Sequence, residues 1–425
     1  MIKFYKMRKV SLHLSIMAIG MFAVSCGKPT SQDQLVGDYS NRVNYKAPTP
    51  IGMVSIPPGV MKSGYSDQDI SHSLDAEVRT LNMSGFYMDE TAITNAQYRQ
   101  FTNWVRDSIA LTTLGEFVDN EDGSQSLNWR YRLRYDNQEV LEDLMGLFLD
   151  PMQSVYGKRE LNTEALVYTY DYFDYDLAAR NRGADPKDFV NTISINIYPD
   201  TLVWMRQFNY SNNEPIARQY NSFQAFDEYP VVGVNWHQAN AFCDWRTTLW
   251  RDGRESRGLY FEGRFRLPSE SQWEWAARGG RELSPYPWGG PYTVNQKGCY
   301  LANFKPQRGD YSADGGLYTV NAKAYWPNDY GLYNMSGNVA EWTSTAYEQS
   351  AYSKNIMADL NPDVHYRTEE GDPEWLKLKV LKGGSWRDPY PYLNISNRDY
   401  EFADTAKAYI GFRTIYVQTE QSLGQ

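Results

Sequence analysis

The sequence predicts an α+β fold with much irregular structure, and three observations carry that expectation. Three segments signal amphipathic helices, two of them preceded by a short apolar strand and two of them opened by a capping residue. The stretch from about 281 to 420 is dense in Gly, Asn, Asp, Pro and Tyr, which favours loops and short strands over helices. Within 425 residues, 13 Trp, 34 Tyr and 17 Phe supply the bulk of a large core.

Residues 1–25 have a separate grammar. Lys3, Lys6, Arg8 and Lys9 precede an apolar run from Leu12 to Val24, and Ala23-Val24-Ser25 lead to Cys26. This is the pattern of an export signal. The apolar run, about 13 residues, is shorter than the ~20 that a spanning helix needs. Small residues directly before a cysteine resemble the bacterial lipoprotein cleavage box, which implies a lipidated Cys26. Residues 26–50 are polar and rich in proline without periodicity, so they read as a flexible tether.

The globular part, 51–420, opens at "MVSIPPGVMKSG". In "SGFYMDETAITNAQYRQFTNWV" a strand runs into a helix that Thr94 or Asn95 can cap, with Tyr98, Phe101 and Val105 at helical spacing. An acidic, tyrosine-rich interval follows at about 108–226 and reads as an insertion, either a surface cover or a partner-binding element. The second helix starts near Trp236, with Ala239, Phe242, Cys243 and Leu249 on or near one face. The third carries a capping box, Ser269 with Gln272, and stops at Gly279-Gly280.

Charge and cysteines narrow the function classes. With 42 basic against 52 acidic residues the net charge is −10, and no basic block stands out, which argues against nucleic acid as a ligand. Beyond Cys26 only Cys243 and Cys299 remain, too few for a disulfide scaffold or a four-cysteine zinc site. Whether these two pair stays open, and Cys243 reads as a core residue.

In order along the chain, "MVSIPPGVMKSG", "FYMDETAITNAQYRQF", "YPVVGVNWHQANAFCDW", "RLPSESQWEWAARGG", "YPWG", "DYGLYNMSGNVAEW", "VLKGGSW" and "IGFR" resemble the formylglycine-generating enzyme (sulfatase-modifying factor) family. The resemblance implies a C-type-lectin-like α+β domain. The copper-dependent oxidases of that family use two cysteines after the Gly-Gly-Ser, and the matching positions here are Asp388 and Leu393. Neither supplies the thiolate that Cu(I) requires. Iron-dependent relatives need a histidine cluster, whereas His72, His237 and His365 have no histidine partner at helical spacing. The resemblance therefore implies a domain without catalytic residues and without copper or iron. Asp388 beside Arg387 reads as an ion pair or a turn residue.

The same family implies structural calcium. One set would be Asn334, Gly337, Val339 through its carbonyl, and Glu341; the alternative is that Asn334 and Glu341 only brace a turn. A second would be Asn303, the carbonyl of Phe304, Asp314 and the carbonyl of Gly316.

Signal, tether and domain together resemble the lipoproteins of gliding motility and type IX secretion of the GldK/PorK type. That implies an outer-membrane, lipid-anchored subunit on the periplasmic face. It would assemble with itself into a ring, and with a GldN/PorN-type periplasmic protein and other secretion-system lipoproteins. The related lipoprotein GldJ, or an enzyme or peptide- or glycan-binding module using the family cleft, is the alternative.

Overall fold

The computed structural model describes residues 49–417 except 66–75, 121–122, 150–151, 153–159, 182, 209–214, 260–262, 307 and 350–372. The signal, Cys26, most of the tether, His72 and His365 lie outside the described residues.

In chain order the strands are β1 (Met53–Ile56), β2 (Gly59–Ser63), β3 (Arg79–Met83) and β4 (Phe86–Asp89), followed by helix α1 (Asn95–Thr113). Next come β5 (Phe117–Asp119), β6 (Gln125–Leu127), α2 (Gln138–Asp143), β7 (Val167–Phe173), α3 (Tyr175–Arg180) and β8 (Val190–Asn196). The helices α4 (Val203–Gln207), α5 (Pro215–Gln219) and α6 (Trp236–Glu255) precede β9 (Arg264–Arg266) and α7 (Glu270–Arg278). The chain closes with β10 (Ala340–Ala346), β11 (Leu378–Lys382), β12 (Asp399–Phe402), β13 (Ile410–Gly411) and β14 (Ile415–Val417).

Two four-stranded sheets form the frame, in the orders β1-β4-β14-β9 and β12-β11-β10-β13. In the second, β10 pairs antiparallel with β11 and parallel with β13. Two-stranded ribbons β2-β3, β5-β6 and β7-β8 stand outside the sheets. Short strands with long irregular connections match the turn-rich composition.

Each of the three expected helices starts where its side chains can satisfy the free N–H groups of a first turn. Thr94 with Gln97, Asn235 with Gln238 and Ser269 with Gln272 all form reciprocal capping boxes. Gly279 ends α7 in a left-handed conformation, φ +60°, which glycine adopts without a Cβ clash. Helices α1 and α6 bring Tyr98, Phe101 and Phe242 into one aromatic core, with Tyr98 stacked on Phe242 at 5.7 Å and Phe101 edge-on to Phe242 at 5.8 Å. Burying each such ring contributes about 1.5–3 kcal/mol. Leu249 departs from the expected face: it lies near the exposed end of α6 and is 48% exposed.

Candidate functional site

Strand β11 delivers the loop that the sequence singles out. Gly383 and Gly384 follow it with φ of +94° and +65°. A Cβ on Gly383 would come 3.1 Å from the Trp273 ring, and one on Gly384 would come 2.7 Å from the Tyr392 carbonyl. The glycines let the loop fold back over its own later residues.

Within the loop Asp388 serves its own turn. Its Oδ2 accepts from the Ser385 N–H at 3.0 Å and the Ser385 hydroxyl at 2.5 Å, and Arg387 Nε lies 3.7 Å from its Oδ1. Burial pushes the Asp388 carboxyl up, opposed by the Ser385 hydrogen bonds and by Arg387. Leu393 is fully buried in an apolar cluster with Tyr286, Ala302 and Phe304. The two positions that would carry thiolates thus hold a turn carboxylate and a packed aliphatic side chain. Among the described residues Cys243 and Cys299 are both free; Cys243 is buried, with its thiol pushed up by desolvation, and Cys299 is exposed. His237 packs edge-on to Trp236 at the start of α6.

The two expected calcium sets differ in what their oxygens already do. Glu341 Oε1 accepts from Arg413 Nη2, and its Oε2 accepts from Arg413 Nε and Trp273 Nε1, each at 2.7 Å. A cation beside Glu341 would face that guanidinium. Asn334, at φ +50°, donates to the Ala322 carbonyl at 2.9 Å. A Cβ on Gly337 would collide with the Asn303 carbonyl, and Val339 packs in an apolar cluster. Glu341 is thus tied to Arg413 and Trp273, and Asn334 to the segment around Ala322.

The second set converges. Asp314 Oδ2 accepts from the Phe304 N–H at 2.6 Å and its Oδ1 from the Gly316 N–H at 3.1 Å. Asn303 donates its amide to the Tyr318 carbonyl at 2.7 Å, while its Oδ1 is buried with no hydrogen-bond partner among the described residues. A Cβ on Gly316 would stand 3.0 Å from that oxygen and 2.5 Å from Val320 Cγ1, so only glycine lets the chain pass this close to Asn303. A buried amide oxygen left unmet is costly alone and is a type of ligand that a hard cation takes. These residues fit calcium.

A buried ion network was not expected from the sequence. Glu274 pairs with Arg278 at 2.7 Å, Glu270 with Arg398 at 2.8 Å, and Lys382 Nζ stands 3.7 Å from both Glu270 Oε1 and Glu274 Oε2, with no hydrogen bond among the described residues. Burial pushes the Lys382 amine down, opposed by Glu274 and Glu270. Burial works to raise the Glu274 carboxyl, but the charges of Arg278 and Lys382 outweigh it and hold the group low. The available signal was the spacing of four along α7 from Glu270 to Glu274 to Arg278. Helix α4 was missed as well. It stacks Trp204 on Trp386 of the loop at 5.8 Å and borders a polar cleft of about 520 Å³ lined by Asp200, Arg206, Asn235, Asp404 and Lys407. Asp388 and Leu393 are not part of that lining.

Residues 40–417 match the family model described as a sulfatase-modifying factor enzyme 1-like domain. The chain is 34% identical over 194 residues to the inactive C-alpha-formylglycine-generating enzyme 2 of Bos taurus, a match covering 44% of this chain and 50% of that protein. It is 25% identical over 371 residues to the formylglycine-generating enzyme of Mus musculus, covering 85% and 74% respectively. The chain thus spans about half the length of the inactive relative. Among solved structures, PvdO from Pseudomonas aeruginosa aligns with a TM-score of 0.46 at 17% identity over 86% of this chain and 93% of that one.

Proposed function

Since the chain belongs to the sulfatase-modifying factor family, we propose that it is a noncatalytic member, a structural subunit of the type IX secretion and gliding-motility machinery of the GldK/PorK type. Cys26 carries the lipid, the domain faces the periplasm beneath the outer membrane, and copies assemble into a ring with a GldN/PorN-type protein. A C-type-lectin-like arrangement of the domain belongs to the same proposal.

The observation that carries the noncatalytic reading is the fate of the two loop positions. Leu393 fills an apolar cluster, and Asp388 is held by Ser385. A copper centre there would need soft ligands that neither side chain provides. The existence of an inactive relative in the family supports the same reading.

Calcium, in this proposal, is architectural. Asn303, Asp314 and the carbonyls of Phe304 and Gly316 would hold it, and the ion would supply fixed positive charge that ties the segment around 303 to that around 316. Copper and iron have no part in it.

The test is metal content together with oxidation of a cysteine-containing peptide by the purified protein. The reading expects calcium at up to one equivalent, no stoichiometric copper and no oxidation. Stoichiometric copper with peptide oxidation would overturn it.

A further inference from the structure

In a chain of net charge −10, the segment Trp129-Arg130-Tyr131-Arg132-Leu133-Arg134-Tyr135 places three arginines at every second position. All three are exposed. Trp129, Leu133 and Tyr135 fix the segment to the body. Trp129 stacks on Trp104 of α1 at 5.1 Å, Leu133 and Tyr135 pack against the main core, and the Tyr135 hydroxyl donates to Asp107 at 2.6 Å. Around a turn at Asn128–Tyr131 and along the irregular stretch after it, Arg130, Arg132 and Arg134 all stand at the surface. Arg130 and Arg132 form no ion pair among the described residues, and the Arg134 contact to Asp136 is a loose 3.8 Å between exposed groups, of little energetic weight. Trp129 and Tyr131 add exposure of 48% and 37% beside them.

We infer that this arginine edge is one half of an interface between copies of the chain, and that it docks on the acidic end of the β7–β8 ribbon of the next copy. The inference rests on the self-assembly proposed above and names the surfaces that carry it. Trp, Tyr and Arg on a rigid support are the residue types that dominate interface energies. Three arginines opposite three arginines repel, so the edge must meet a different patch.

Asp171, Asp185 and Asp188 supply one, all exposed toward the outer end of the ribbon, where with half-buried Asp174 they outnumber the exposed Arg180 and Lys187. The inner end of the ribbon, at Tyr168, lies against Trp104, with ring centroids 6.2 Å apart. Five residues of strand then carry the chain roughly 17 Å outward to Phe173. Two unlike patches set apart on one subunit make a head-to-tail contact, the kind that closes rings.

Sedimentation velocity on the full chain tests this, with R130E/R132E/R134E and D171K/D185K/D188K measured alone and mixed, and with circular dichroism and thermal midpoint checking the fold. Wild type should self-associate, weakening as salt rises. Each folded triple variant should bind itself at least about tenfold more weakly, the change that 1.4 kcal/mol produces. The mixture should associate again, because reversed charges face each other. Association of R130E/R132E/R134E equal to wild type overturns the inference, as does a monomeric wild type or a mixture that stays apart. So does an arginine-dependent binding to phosphatidylglycerol vesicles with self-association unchanged. The wider assembly reading is checked separately, by co-purification with a periplasmic partner, and stands or falls without this edge.

Discussion

The Arg413 guanidinium donates to both carboxylate oxygens of Glu341, at 2.7 Å each, with both side chains almost wholly buried. Arg413 also donates to the carbonyls of Asp89 and Tyr333, so one side chain links β4, β10 and the segment before β10. Removing one member leaves the other buried and unpaired, which costs about 3–5 kcal/mol. Arg413→Met should therefore lower stability by about that amount, and Glu341→Gln in addition should recover part of it. Urea unfolding of wild type, Arg413→Met and the double variant checks this. Equal loss in the single and double variants would show that the two charges are not coupled.

Lys382 presents the reverse case. Around it two carboxylates, Glu270 and Glu274, already pair with two arginines, so the lysine is the surplus charge. Its amine is pushed down by burial, so the unfolded chain binds the proton more readily than the folded one. Stability lost through this group is greatest below the lowered value and is regained as pH rises toward the ordinary lysine value near 10.4. Lys382→Met should match or exceed wild-type stability at neutral pH, because the two carboxylates keep their arginines, and should flatten the rise of stability at alkaline pH. Unfolding midpoints measured across that range decide it; an unchanged pH slope would contradict the assignment.

The sequence made α1, α6 and α7 legible because their signals are local. Thr94, Asn235 and Ser269 each find a partner three residues on, and Gly279 stops its helix by conformation alone. The Glu341–Arg413 pair lay beyond such reading, because 72 residues separate the partners and only the fold brings them together. The same holds for Trp204 on Trp386, which joins the interval after α1 to the glycine loop. At the loop itself, the motif located Asp388 and Leu393, but their surroundings depended on Ser385 and on Tyr286, more than 100 residues before Leu393 in the chain.

Calcium should act through Asn303 and Asp314. Adding calcium should raise the thermal midpoint of wild type and chelation should lower it; at 100-fold excess over the dissociation constant the gain is about 2.7 kcal/mol. Asp314→Asn or Asn303→Ala should abolish the calcium response while leaving a folded protein. A calcium response that survives Asp314→Asn would move the ion to another site.

Imaging of the complex extracted from membranes with its partners tests the central claim most directly. The account predicts many copies of this chain in a closed ring, bound to a periplasmic protein, with the amino-terminal lipids on one face. A solitary chain in the extract, with no partner and a substrate turned over in its place, would contradict it.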